Sequence, residues 1–101
     1  MGYELKWSHL SRADLRGIVR FISRDSPQRA QSFALRLIAH VEMLQQYPES
    51  GRVVPELRSP EIRETVFKPY RIVYRHKAAE KKVEIVRVWH AARGTPKIPG
   101  T

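Results

Sequence analysis

The chain has 101 residues, a length that suits one folded domain. It contains 19 Lys and Arg against 10 Asp and Glu, which gives a net charge of +9. A charge of this size is typical of proteins that bind nucleic acid or an acidic protein, and it does not distinguish the two. No apolar run reaches the ~18 residues of a membrane span, and the lack of cysteine excludes disulfides and thiol catalysis. We therefore expect a cytoplasmic domain that does not enter a membrane.

The first part of the chain predicts a short strand followed by a helix. Apolar and charged residues alternate over residues 3–7, which is typical of a half-buried strand. Ser11, with Asp14 three residues later, is a candidate N-cap for the helix, and Ser8 is the alternative. The apolar residues of this helix recur at helical spacing. They are Leu15, Ile18, Val19 and Ile22.

A second helix is predicted to begin at Pro27, because proline suits the first turn of a helix. Its apolar stripe spans four turns and ends before Pro48. The connection of residues 24–26 is so short that the two helices should form an antiparallel hairpin. The stripe consists of Ala30, Phe33, Ala34, Leu37, Ile38, Val41 and Leu44.

The second half of the chain changes to strand-like patterns over residues 62–67, 70–75 and 83–90. The turns between these segments are short, which predicts antiparallel neighbours. The sequence therefore predicts an α+β domain of order β-α-α-β-β-β, in which the helical hairpin packs on one face of a four-stranded, mainly antiparallel sheet. We expect one domain over residues 1–93 and a flexible basic tail over residues 94–101.

The segment 70–75 separates into two faces. Tyr70, Ile72 and Tyr74 should meet the helices, which leaves Arg71 and Arg75 on an open face. There Arg71 is either a ligand for a phosphate or carboxylate or an ordinary solvated arginine. The pattern of residues 83–90 does not indicate which of its faces is buried.

Four arginines recur every four residues along the first predicted helix. Like charges at this spacing oppose helix stability mildly. The stripe is either a solvated face or a surface for an acidic partner or a phosphate backbone. Its members are Arg12, Arg16, Arg20 and Arg24.

The histidines do not indicate a metal site. His9, His40, His76 and His90 are far apart, and no pair has the spacing of metal ligands. The sequence also lacks a glycine-rich phosphate loop and a nucleophile elbow. We predict neither a metal nor a cofactor.

An ordered set of short motifs over residues 3 to about 93 resembles the ParE/RelE superfamily of bacterial type II toxins. The motifs are Ala13-Asp14-Leu15 with Ile18, Pro48-Glu49-Ser50-Gly51-Arg52, Val54-Pro55-Glu56-Leu57, Ile62-Arg63-Glu64, Pro69-Tyr70-Arg71-Ile72-Val73-Tyr74-Arg75, and Val88-Trp89-His90 with Arg93. The resemblance implies a toxin that a cognate antitoxin neutralises, and the arginine stripe of the first helix is the expected antitoxin-binding surface.

The superfamily divides by mechanism. ParE-like members poison DNA gyrase without being enzymes, whereas RelE-like members cleave mRNA on the ribosome. The RelE pattern implies lysines where Ile62 and Glu64 stand and an arginine in place of Ala91, so the resemblance favours the ParE branch. The expected residues for binding the target or a phosphate are Arg63, Arg71, Arg75 and Arg93.

Two alternatives stay open. A ribonuclease pattern of the YoeB type implies Glu56 as general base, Arg71 as phosphate ligand and His90 as general acid. YoeB-like members place a tyrosine after this histidine, where the chain has Ala91. The third possibility is a basic nucleic-acid-binding domain without toxicity.

Overall fold

The computed structural model describes residues 2–99 of the chain, in which two helices cover one face of a five-stranded sheet. The α+β class and the helical hairpin are as predicted. Short 3₁₀ turns lie at Met43–Gln45, Ala78–Glu80 and Ala91–Arg93. The helices and strands are β1 Glu4–Trp7, α1 His9–Ser23, α2 Pro27–Glu42, β2 Arg52–Val53, β3 Ile62–Phe67, β4 Tyr70–Lys77 and β5 Lys82–His90.

Serine residues begin both helices. Ser8 caps α1 because its hydroxyl accepts a hydrogen bond from the backbone N–H of Ser11 at 3.0 Å. The preferred cap in the sequence, Ser11, was therefore wrong by one turn: it lies inside the helix, buried, and its hydroxyl donates to the carbonyl of Ser8. Ser26 caps α2 in the same way, with Pro27 in the first turn as predicted.

The sheet has the strand order β1-β5-β4-β3-β2. The prediction of four strands missed β2, whose two residues pair with β3 so that Arg52 lies opposite Glu64. A strand of two residues has no periodicity to detect, which explains the omission. β1 runs parallel to β5, whereas the other neighbours are antiparallel.

The main core lies between the helices and the sheet face that meets them, the helix face. Ile72 and Tyr74 of β4 are fully buried there against Leu37 and Val41 of α2, as predicted. An irregularity at Val73/Tyr74 shifts the pairing of β4 with β5, so that Val86 has no partner of its own. Val83, Ile85 and Val88 therefore all join the core on the helix face, although strict alternation would separate Val88 from the other two.

The opposite sheet face, the far face, carries a second apolar cluster. The prediction left this face open, but Val73 is fully buried and Arg71 is 9% exposed. The segment 94–99, predicted as a flexible tail, packs over it with Ile98 buried. Residues 100 and 101 lie outside the described part. The cluster consists of Val54, Ile62, Val73, Val86 and Ile98.

Candidate functional site

Four side chains form a row across the far face, one from each of β2, β3, β4 and β5. Arg52 lies opposite Glu64 in the pairing of β2 with β3, and Arg71 lies opposite Trp89 in the pairing of β4 with β5. Glu64 and Arg71 are diagonal neighbours across β3 and β4, within reach of long side chains. The sheet register therefore positions a carboxylate between two arginines.

Arg71 is the centre of a closed ion-pair network. Its Nε donates to Glu64 at 2.5 Å, and its two terminal nitrogens donate to the two oxygens of Glu56 at 2.9 and 2.7 Å. Nη1 also donates to the carbonyl of Gly94 at 3.1 Å, while Arg52 donates to the second oxygen of Glu64 at 2.7 Å. The prediction of an exposed Arg71 on an open face was wrong, because two carboxylates and the segment 94–99 enclose the guanidinium.

The network changes the protonation equilibria of its members. The hydrogen bonds from Arg71 lower the pKa of Glu56 from 4.5 to about 2. The same hydrogen bonds, with those to Glu64, raise the pKa of Arg71 above its ordinary value. Glu56 is therefore ionised at neutral pH and is held as an acceptor, which makes it a weak general base.

His90 lies at the end of β5, opposite Tyr70 in the pairing of β4 with β5. Its ring packs edge-to-face on Tyr70, with 5.3 Å between centroids, and Nδ1 accepts a hydrogen bond from the N–H of Ala92. His90 and Arg71 share a cleft of about 500 Å³, which Glu56 does not line. The polar side chains that line this cationic cleft are Arg52, Lys68, Tyr70, Arg71 and His90.

The sequence did not single out Arg52 and Lys68 as members of this cleft, nor Glu64 as a ligand of Arg71. The position of Glu64 in the sheet can be derived from the turn at Lys68-Pro69. Counting outward from a two-residue hairpin turn pairs residue 64 with residue 73, which places Glu64 beside Arg71. No comparable count reaches Arg52, because its strand is too short to be recognised.

The loop before β2 is fixed by Tyr74. The Tyr74 hydroxyl donates to the carbonyl of Pro48 at 2.8 Å and accepts from the N–H of Gly51 at 3.0 Å. A Cβ on Gly51 would lie 2.4 Å from the carbonyl oxygen of Glu64, so no larger residue fits there. This close approach sets the position of Arg52 and explains the Pro48–Arg52 motif.

The other predicted target-binding arginines do not gather around Arg71. Arg63 points to the helix face, where it donates to the carbonyl of Gly51 at 2.8 Å. Arg75 pairs with Glu61 and donates to the carbonyl of Pro99. Arg93 stacks on Trp89, with its guanidinium carbon 3.8 Å from the ring centroid. Together with Arg71, the predicted set is thus divided among four places.

Three of the four arginines in the predicted stripe line one groove. The groove lies between α1 and α2 and has a volume of about 670 Å³. Arg12, Arg16 and Arg20 line it together with apolar side chains, whereas Arg24 does not. Among residues 2–99, no carboxylate forms an ion pair with any of the three. The apolar lining of this α1–α2 groove consists of Trp7, Leu15, Val19 and Ile38.

Residues 2–99 contain neither a candidate metal site nor a candidate membrane span. No three His, Asp or Glu side chains come together there as ligands for a metal ion. No helix in that range has the length and apolar character needed to cross a membrane.

The family model for the ParE toxin of type II toxin–antitoxin systems matches residues 5–94. The chain belongs to this toxin family. The ParE-family chain is also 39% identical over 90 residues to Toxin RelE2 of Caulobacter vibrioides, a match that covers 89% of the chain and 97% of that relative. The resemblance to the ParE/RelE superfamily is therefore confirmed.

Solved structures share the fold of the ParE-family chain. A structure of the chromosomal ParDE system from P. aeruginosa has a TM-score of 0.71 and 25% identity, covering 87% of this chain and 95% of that one. The RelBE2 toxin–antitoxin complex of Mycobacterium tuberculosis has a TM-score of 0.63 at 18% identity, covering 89% and 99%. A mutant of E. coli toxin RelE in the free state has a TM-score of 0.65 at 18% identity, covering 93% and 88%.

Proposed function

We propose that the chain is a non-enzymatic toxin that poisons DNA gyrase in the cytoplasm. The observation that carries this proposal is the pairing of Glu56 with Arg71. Both oxygens of Glu56 accept from Arg71, and its pKa is lowered to about 2. A general base works best with a pKa near the operating pH, so this carboxylate is a poor acceptor for the 2′-OH proton that RNA cleavage must remove. The match to the ParE family supports the same target.

Purified protein and purified gyrase test the proposal directly. With supercoiled plasmid and ATP, the toxin should accumulate cleaved DNA that remains attached to gyrase. The matched control is the same mixture with a type I topoisomerase, which should be unaffected. Unchanged supercoiling and no cleaved DNA at micromolar toxin would contradict the proposal.

The cationic cleft favours a second candidate, a ribosome-dependent endoribonuclease. Arg52 and Arg71 line it although they pair with Glu64 and Glu56, and Lys68, which has no ion-pair partner in residues 2–99, adds a positive charge that suits an RNA phosphate. Because Nδ1 of His90 accepts from Ala92, Nε2 is the ring nitrogen that is left to donate a hydrogen bond to an RNA oxygen. Under this candidate, induction halts translation with defined mRNA cuts, and His90→Gln and Glu56→Gln each abolish toxicity. Toxicity that survives both substitutions removes the candidate.

We propose further that a cognate antitoxin occupies the α1–α2 groove. The relatives of known structure from P. aeruginosa and M. tuberculosis are described as a toxin–antitoxin system and a toxin–antitoxin complex. The groove has an apolar floor and three arginines without ion-pair partners in residues 2–99, which fits an acidic, amphipathic segment.

Charge reversal tests this partner. Arg12→Glu and Arg16→Glu together should prevent the antitoxin encoded beside the toxin from rescuing growth. Arg58→Glu, a single charge reversal at an exposed residue outside the groove, should leave rescue intact. Normal growth on induction without any antitoxin would instead favour a basic nucleic-acid-binding domain.

A further inference from the structure

A second groove lies on the other flank of α1, between this helix and the adjacent ends of β4 and β5. Its volume is about 870 Å³. Gly17 and Phe21 line it from α1, and Tyr70, His90 and Arg93 line it from the end of the sheet. We call it the α1–sheet groove. It shares no lining residue with the α1–α2 groove, so the two can be tested separately.

Gly17 is not explained by the fold. It lies in the interior of α1, where glycine lowers helix stability relative to alanine. A Cβ placed on it would have nothing within 4 Å, so no neighbour excludes a side chain. No contact within residues 2–99 requires glycine at this position, and close approach of another molecule to the helix backbone is a physical reason for it.

Phe21 follows Gly17 by one helical turn and is 68% exposed. An aromatic side chain with this exposure is a poor choice for a surface that meets only water, and aromatic residues are enriched among the anchors of protein interfaces. The helix surface therefore has a depression at Gly17, which has no side chain, and the exposed ring of Phe21 projects beside it. We call this depression and ring the step. An apolar side chain of a partner fits into this step.

The polar groups of the groove present donors and positive charge. The two oxygens of Asp14 already accept from Arg87 and from the N–H of Val88. Arg93 is held by its stack on Trp89, and within residues 2–99 no carboxylate pairs with it. The neutral ring of His90 offers Nε2–H, since Nδ1 is occupied. A partner here must supply an acceptor, and a carboxylate matches Arg93 best.

We propose that the α1–sheet groove receives a segment of DNA gyrase that packs an apolar side chain between Gly17 and Phe21 and pairs a carboxylate with Arg93. This inference rests on the proposed function and adds the surface through which the toxin recognises its target. The antitoxin is assigned to the other flank of α1, because three arginines there have no ion-pair partner in residues 2–99 and so favour a more strongly acidic segment than one arginine does.

The test measures the affinity of immobilised gyrase for six variants of the full chain. Gly17→Gln, Phe21→Ala and Arg93→Glu should each weaken binding by about ten-fold or more, which corresponds to loss of one interface anchor. The matched controls should stay within about two-fold of wild type, as expected outside an interface. They are Ala39→Gln, Leu35→Ala and Arg58→Glu, all exposed residues outside the groove. Urea midpoints of all six verify that each variant is folded.

The outcomes distinguish an error in the groove assignment from an error in the proposed function. If wild type binds and poisons gyrase but the three groove variants do so equally well, the groove assignment is wrong and the proposed function stands. If wild type does not bind gyrase, both are wrong. Loss confined to Arg93→Glu also overturns the assignment, because a simple contact of charge with the DNA in the gyrase complex would give that pattern.

Discussion

Asp14 of α1 accepts two hydrogen bonds of 2.9 Å from the guanidinium of Arg87 in β5, and its carboxylate also accepts from the backbone N–H of Val88 at 3.0 Å. Asp14 therefore joins the helix to the sheet immediately after the irregular pairing at Val86. Ala13-Asp14-Leu15 is one of the motifs on which the family resemblance rests. These contacts explain its aspartate.

Asp14→Ala should destabilise the protein by about 3 kcal/mol, because it leaves a nearly buried arginine without its partner. The side chains of Asp14 and Arg87 are 13% and 11% exposed, so water can compensate little of the loss. Urea unfolding measures the change. Asp25→Ala, an exposed carboxylate just after the same helix, is the control and should change stability by less than about 0.5 kcal/mol.

Glu64→Gln should also cost about 3 kcal/mol, since the neutral amide faces two guanidinium groups on the far face. Glu64 has a fully buried side chain between Arg52 and Arg71. Glu61→Gln is the matched control on the same strand region, because its carboxylate is 54% exposed and pairs with Arg75 at 3.3 Å. The control should lose less than about 1 kcal/mol. Equal midpoints in urea for the two variants would contradict the network described above.

Glu56 predicts an acid-sensitive contribution to stability. Its pKa is about 2 in the folded protein, against 4.5 without the network, because Arg71 favours the charged form. A carboxyl whose pKa is lower when folded stabilises the protein above pH 4.5, and that contribution disappears as the pH falls from 4.5 towards 2. Glu56→Gln should therefore destabilise the protein at pH 7 and make little difference near pH 2.

Urea midpoints at several pH values between 7 and 2 measure this dependence. Glu80→Gln is the control, because Glu80 is 59% exposed and lies 3.8 Å from Lys82. Its midpoints should follow wild type across the whole range. A constant difference between Glu56→Gln and wild type at every pH would show that Arg71 does not hold the carboxyl ionised.

Gly51 and Gly17 should respond to alanine in opposite directions. At Gly51 a Cβ would collide with the Tyr74 hydroxyl at 2.6 Å, so Gly51→Ala should cost about 2 kcal/mol or more. At Gly17 a Cβ meets no neighbour, so Gly17→Ala should stabilise the helix by about 0.5–1 kcal/mol. Thermal unfolding of the two variants beside wild type provides the comparison.

The sequence was informative wherever one helix or strand determined the outcome by its own pattern. The apolar stripe of α2 identified the residues that pack on the sheet, and alternation along β4 assigned Ile72 and Tyr74 to the helix face. Pro27 located the start of α2. Each of these features depends on the spacing of residues within one helix or strand, which the sequence shows directly.

The remaining features required knowledge of which strands become neighbours. Val86 is an extra residue in β5 that has no partner in β4, and this insertion obscured the buried face of the last strand. Arg71 was expected to be free, since its two carboxylates come from β3 and from the loop after β2. Ile98 was assigned to a flexible tail because its burial depends on a cluster formed by four other segments.

The place of β5 in the sheet has a consequence for synthesis. β5 is the last strand along the chain, yet it lies between β1 and β4 and pairs with both. A nascent chain that has emerged only to residue 81 has no partner for β1, and the main core lacks Val83, Ile85 and Val88. The native sheet therefore closes only after β5 has emerged, so abortive products of the ribosome that stop before β5 lack the folded form of this toxin.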